Sequence, residues 1–138
     1  MLALLVTLIA SYLKLDVGRR PVGAAERWCV DVPFSVYLGW ITVATVANIT
    51  DWLFSISWSG WGITAQPWAV IMIAVASLLG LLMALTRRDS GYLFVLVWSF
   101  AGIAVKQAEF PLVANSAWAA AALAFGLALY SIIQRRKK

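Results

Sequence analysis

PFSVYLGWITVATVANITDWLFSIS, residues 33–57, is the stretch whose reading decides the fold. Apart from Asn48, Asp51 and a few hydroxyl side chains it is apolar from Pro33 to Ser57. Spanning a hydrocarbon core of about 30 Å takes about 20 helical residues, and this stretch exceeds that. In lipid the backbone must satisfy its own hydrogen bonds, so the segment is predicted to be a helix. Polar and apolar residues do not alternate along it, which excludes the strand of a β-barrel.

Four more apolar stretches lie outward from this one, at 1–15, 67–86, 90–110 and 112–133. The first is short, and the fourth reaches spanning length only by taking in Lys106 and Glu109, whose heads can snorkel to the interface. Pro33, Pro67 and Pro111 fall at expected helix starts, where a missing N–H costs nothing. The predicted fold is all-α: one transmembrane helical domain over 1–138 with about five spans. Composition agrees. Hydrophobic residues make up 63% of the chain and charged residues 12%, about half of what a soluble domain uses to cover its surface.

The charges orient the spans. The first linker carries Lys14, Arg19, Arg20 and Arg27, the third Arg87 and Arg88, and the tail Arg135, Arg136, Lys137 and Lys138. Those ten basic residues share one side of a five-span topology, and the other side holds only Lys106. Basic residues favour the cytoplasm, so the N-terminus is expected outside and the C-terminus inside. The net charge of +5 is thereby explained without nucleic acid, since no folded basic face is available for phosphates.

Chemistry is sparse. Cys29 is the sole cysteine and there is no histidine, which removes disulfides, thiol metal clusters and the commonest general base. The six acidic residues fall mostly in linkers and no two share a span, so no catalytic constellation, metal site or enzymatic activity is expected. Of eight tryptophans, Trp52, Trp58, Trp61 and Trp68 bracket the second linker and Trp28 lies near the start of the second span, as interfacial anchors do. Trp40, Trp98 and Trp118 lie deeper. Ala76-x3-Gly80-x3-Ala84 and Ala122-x3-Gly126 have the small-residue spacing that lets helices approach closely.

In the second span, Tyr37, Trp40, Ala44, Asn48 and Trp52 fall on one broad helical face with Ala47 and Asp51. Polar groups within a span usually face the bundle interior, so this face is expected to look inward. Two roles are open to it: contact with a ligand, or hydrogen bonding between helices.

The string Tyr37-Leu-Gly-Trp40-Ile-Thr-Val43-Ala44-Thr-Val-Ala47-Asn48-Ile-Thr-Asp-Trp52 resembles the fifth helix of the tryptophan-rich sensory protein family, TspO/MBR. Tyr37, Trp40, Ala44, Asn48 and Trp52 match that family's motif in identity and spacing, while Val43 and Ala47 stand where it has Phe and Leu. The stretch from Val32 to Trp40, the Arg87-Arg88-Asp89 turn and Gly102-Ile-Ala-Val-Lys106 resemble a longer bacterial branch of the same family. The resemblance implies a non-enzymatic protein of a bacterial inner or internal photosynthetic membrane. It would bind or sense a tetrapyrrole or lipid in the bundle, with Tyr37, Trp40, Ala44, Asn48 and Trp52 as the ligand-binding residues. Only one short apolar segment precedes the motif here, so the resemblance also implies the C-terminal part of a larger protein or a shortened relative. The alternative is a small accessory subunit, packing through its small-residue faces into a homo-oligomer or a larger, pigment-bearing complex.

Overall fold

The computed structural model describes residues 1–136; Lys137 and Lys138, the end of the basic tail, lie outside the described residues. Among the described residues the fold is built from helices. They are α1 (Leu2–Lys14), a single turn α2 (Ala24–Glu26), a π-helical stretch (Arg27–Asp31), α3 (Val32–Ser55), a 3₁₀ turn (Gly60–Gly62), α4 (Ala65–Thr86), α5 (Ser90–Lys106) and α6 (Pro111–Arg136). The helix containing α3, together with α4 and α6, is long and apolar enough to cross a membrane, and α1 and α5 are shorter apolar helices. With 17 residues α5 is about 25 Å long, a shortfall that its interfacial flanks and a slight local thinning accommodate.

Two boundaries depart from the sequence reading, both at prolines. The second helix begins well before Pro33, running back to Ala24 through the π-helical stretch. Pro33 is therefore inside a helix, where its ring collides with the carbonyl four residues back and removes a bond. The π-helical geometry just upstream absorbs this, with the Val32 N–H reaching Arg27 O, five residues back. The fourth span stops at Lys106 and does not reach residue 110. Pro111 disfavours helical backbone at Phe110, whose N–H instead closes a turn onto Gln107 O at 2.9 Å. Pro111 then opens α6 at the position where proline is best tolerated.

The centre of the bundle is α5. On one side it packs along α6, which also packs along α4; on the other it packs along α3, which in turn carries α1. Leu93, Leu96 and Phe100 of α5 are fully buried. Against them α6 presents a stripe of small residues, Ala117, Ala121, Ala124 and Ala128, and α4 presents Ala76, Gly80 and Ala84, all buried. The expected row Ala122-x3-Gly126 is not part of this contact: both residues are exposed, and a Cβ on Gly126 would meet nothing within 4 Å. Two neighbouring faces of α6 are rich in small residues, and tertiary packing selects the other one.

The outside of the bundle is apolar. Leu78, Leu82, Leu85, Val105, Leu123, Phe125 and Leu129 are among the large side chains left exposed along α4, α5 and α6. A soluble protein rarely exposes a contiguous apolar patch of more than a few hundred Å². A surface of this kind is covered by lipid, and the fold is a multi-pass helical membrane bundle.

Candidate functional site

The first and third linkers, distant in sequence, meet at one end of the bundle. Arg87, in the α4–α5 turn, pairs with Asp16 at 2.7 Å and lies over the Tyr12 ring at 5.7 Å from its centroid. Arg19 donates from Nε to the Thr86 carbonyl at 3.3 Å. At the opposite end, Trp58 packs edge-to-face on Trp61 and Trp68, with centroids 5.3 and 5.0 Å away. Three of the four expected anchors of the second linker, Trp58, Trp61 and Trp68, thus form one aromatic cluster. Trp61 has a left-handed backbone (φ 54°) between two glycines that adopt the same region without strain.

The inward face of α3 is not the one that the sequence reading turned inward. Ser35, Leu38, Gly39, Ile41 and Thr45 are buried, whereas Tyr37, Trp40, Asn48 and Trp52 are exposed and Ala44 is half-buried. Small residues explain the choice. A Cβ on Gly39 would come within 3.1 Å of Val95 Cβ, and one on Gly91 within 3.1 Å of Ser35 Cβ. The α3–α5 crossing is thus as close as side chains allow, and it needs Ser35 and Gly39 on the buried face. The spacing Ser35-x3-Gly39 was a sequence signal for this contact, of the same kind as that at Gly80. Asn48 requires no interior partner, because its Nδ2 donates to Ala44 O of its own helix at 2.8 Å. Neither does it bridge helices in that arrangement.

Beside the crossing, on the outer surface, lies a groove of about 900 Å³. Its walls come from three parts of the chain. The π-helical stretch and α3 supply Arg27, Trp28, Val36 and Trp40, α5 supplies Phe94 and Trp98, and α6 supplies Ile132. The three indoles are largely exposed, at 72%, 54% and 75% for Trp28, Trp40 and Trp98. Of the five residues expected to bind ligand, only Trp40 lines this groove. Each four-residue helical step advances about 40° beyond a full turn, which carries Ala44, Asn48 and Trp52 progressively away from it. Trp98, a deep tryptophan by sequence, lines the same groove as Trp40. By sequence Trp28 and Arg27 are interfacial and topological residues only, and their place here depends on the backward extension of the helix.

Chemically the groove offers flat aromatic walls, aliphatic packing and one guanidinium. Its volume is within the range of about 300–1,000 Å³ typical of small-molecule sites. Compared with known proteins, residues 1–130 match the model of a family described as TSPO-like protein, so the match reaches from α1 into α6 and well beyond the α3 motif. No curated protein and no solved structure matches the chain.

Proposed function

The chain belongs to the TSPO-like protein family, and from that premise we propose that it binds or senses a hydrophobic ligand, a tetrapyrrole or a lipid, without catalysing a reaction. The observation that carries the reading is the groove walled by Trp28, Trp40 and Trp98, with Arg27 also in its lining. Indole faces stack on a flat conjugated ring or pack against an acyl chain, and a guanidinium pairs with a carboxylate or phosphate at the ligand's polar edge. The groove opens on the lipid-facing surface, so a hydrophobic ligand enters from the bilayer without crossing water. On this reading the membrane is a bacterial inner or internal photosynthetic one, with the basic end of the bundle in the cytoplasm.

The test is a porphyrin titration of the detergent-solubilised protein, read by tryptophan quenching. Saturable quenching that weakens in Trp98→Ala supports the groove. Quenching that is linear and unchanged in Trp98→Ala overturns it.

A second reading, an accessory subunit of a homo-oligomer or larger membrane complex, is favoured by one observation. Tyr37 and Trp52 point outward on α3, outside the groove, at 45% and 61% exposure. Such side chains serve helix–helix contacts between chains as well as they serve lipid. A single stable species of one-chain mass in several mild detergents counts against this reading.

A further inference from the structure

A second cavity, of about 590 Å³, opens at the basic end of the bundle between residues 18–22 of the first linker and the α4–α5 turn. Its lining brings together Arg19, Arg20, Arg27, Arg87 and Arg88 with Asp31. Arg20 pairs with Glu26 and Arg87 with Asp16. Arg19 commits its Nε to Thr86 O, which leaves its terminal nitrogens uncommitted. Among the described residues, Arg27 and Arg88 make no ion pair or side-chain hydrogen bond. Counting Asp16, Glu26 and Asp31 against the five guanidinium groups leaves two positive charges at the cleft.

The topology rule accounts for basic residues at this end, but it is indifferent to whether they are Lys or Arg and to whether they converge. All the cations of the cleft are arginines, drawn from two linkers distant in sequence. Arginine presents a planar fork that matches the oxygens of a phosphate, where lysine presents a point charge. The geometry points to a binding site for the phosphate group of an anionic phospholipid. A lipid is the source rather than a soluble phosphate because the cleft lies at the ends of lipid-covered helices, with exposed Leu85 in its wall. Arg27 also lines the tryptophan groove, so apolar surface continues directly from the place where a headgroup sits. The site stands whether or not the groove takes a tetrapyrrole.

The experiment uses the full chain in a neutral detergent and measures binding of short-chain phosphatidylglycerol, phosphatidylcholine and inorganic phosphate by native mass spectrometry. Wild type is expected to bind phosphatidylglycerol about tenfold more tightly than phosphatidylcholine. Arg27→Gln combined with Arg88→Asn should remove about that tenfold preference. Asparagine is chosen because residue 88 has a left-handed backbone (φ 51°), which Asn tolerates. Lys106→Gln, at the other end of the bundle, should leave the preference intact. Should the double variant fail to fold, Arg27→Gln alone carries the test, since it removes one of the unpaired charges of the cleft; the preference should fall there too. Equal affinity for the two lipids, or an undiminished preference in folded variants, overturns the site. An equal loss in Lys106→Gln reduces it to general electrostatics and also overturns it. Inorganic phosphate binding as tightly as phosphatidylglycerol overturns the lipid assignment.

Discussion

The hydroxyl of Tyr12, near the end of α1, donates a 2.5 Å hydrogen bond to Oδ2 of Asp89, whose Oδ1 accepts from the N–H of Tyr92 and so caps α5. Both side chains are buried, at 2% exposure each. The shortest of the five apolar helices is thereby fastened to the start of the central one, across 77 residues of sequence. A carboxylate withdrawn from water requires such partners, because an unsatisfied buried polar group costs about 1–3 kcal/mol.

Tyr12→Phe keeps the ring, and with it the surface beneath Arg87, and removes only the donor. It is expected to lower unfolding stability in detergent by about 1–3 kcal/mol. Asp89→Ala should cost at least as much, because the cap on α5 goes with it. Unfolding midpoints equal to wild type for both variants would show that the contact contributes nothing.

Three glycines provide an ordered comparison. A Cβ on Gly126 meets nothing, so Gly126→Ala should gain up to about 1 kcal/mol from helix propensity. At Gly80 the nearest atom is Leu96 Cδ1 at 2.5 Å, the free end of a flexible side chain, so Gly80→Ala should stay within about 0.5 kcal/mol of wild type. At Gly39 the contacts are longer, but they are Val95 Cβ at 3.1 Å and the Tyr92 carbonyl at 3.3 Å, and neither can rotate away. Gly39→Ala should lose about 1 kcal/mol. Stability that follows the bare contact distances instead, with Gly80→Ala the worst of the three, would show that side-chain flexibility does not decide the cost.

Asn48→Leu separates the groove from the rest of the α3 motif. The amide is bonded within its own helix and faces outward, and Leu is the better helix former. Stability should be unchanged or higher by up to about 0.5 kcal/mol, and porphyrin affinity should equal that of wild type. Trp40→Ala should weaken the same affinity about tenfold, equivalent to about 1.4 kcal/mol. The reverse pattern would return the ligand to the Tyr37–Asn48 face.

Topology is checked with single cysteines at Gly23 and Ser59 in a Cys29→Ser background. The two positions lie in the first and second linkers, at opposite ends of the helix that contains α3. An impermeant thiol reagent applied to intact cells should label Ser59→Cys and spare Gly23→Cys. Labelling of both, or the reverse preference, would defeat the expected orientation.

The five apolar helices were legible in the sequence because length and hydropathy alone decide them, and Gly80 was legible because small residues recur around it at helical spacing. Which way α3 faces was not. In water, polarity separates inside from outside; in lipid both the core and the surroundings are apolar, and that contrast is lost. Side-chain size takes its place. Ser35 and Gly39 therefore outrank Asn48 as markers of the interior, and Tyr37 and Trp52, which look like pocket walls by type, are turned out by their bulk. The groove was legible only in fragments, since Trp28, Trp40 and Trp98 come from different stretches and meet through tertiary packing.

The π-helical stretch from Arg27 to Asp31 has a consequence for how this surface can be altered. Closing a bond over five residues instead of four is equivalent to one inserted residue, and one residue is worth about 100° of rotation about a helix axis. Everything upstream of Val32 is rotated by that amount relative to an unbroken helix. Removing a single residue between Arg27 and Asp31 would restore the regular register and swing Trp28 out of line with Val36 and Trp40, with no change to the residues of α3 or α5. A length change of one residue at this point therefore acts on the groove as a rotary switch, moving the part of its wall made by Arg27 and Trp28 while leaving the wall residues of α3 and α5 in place.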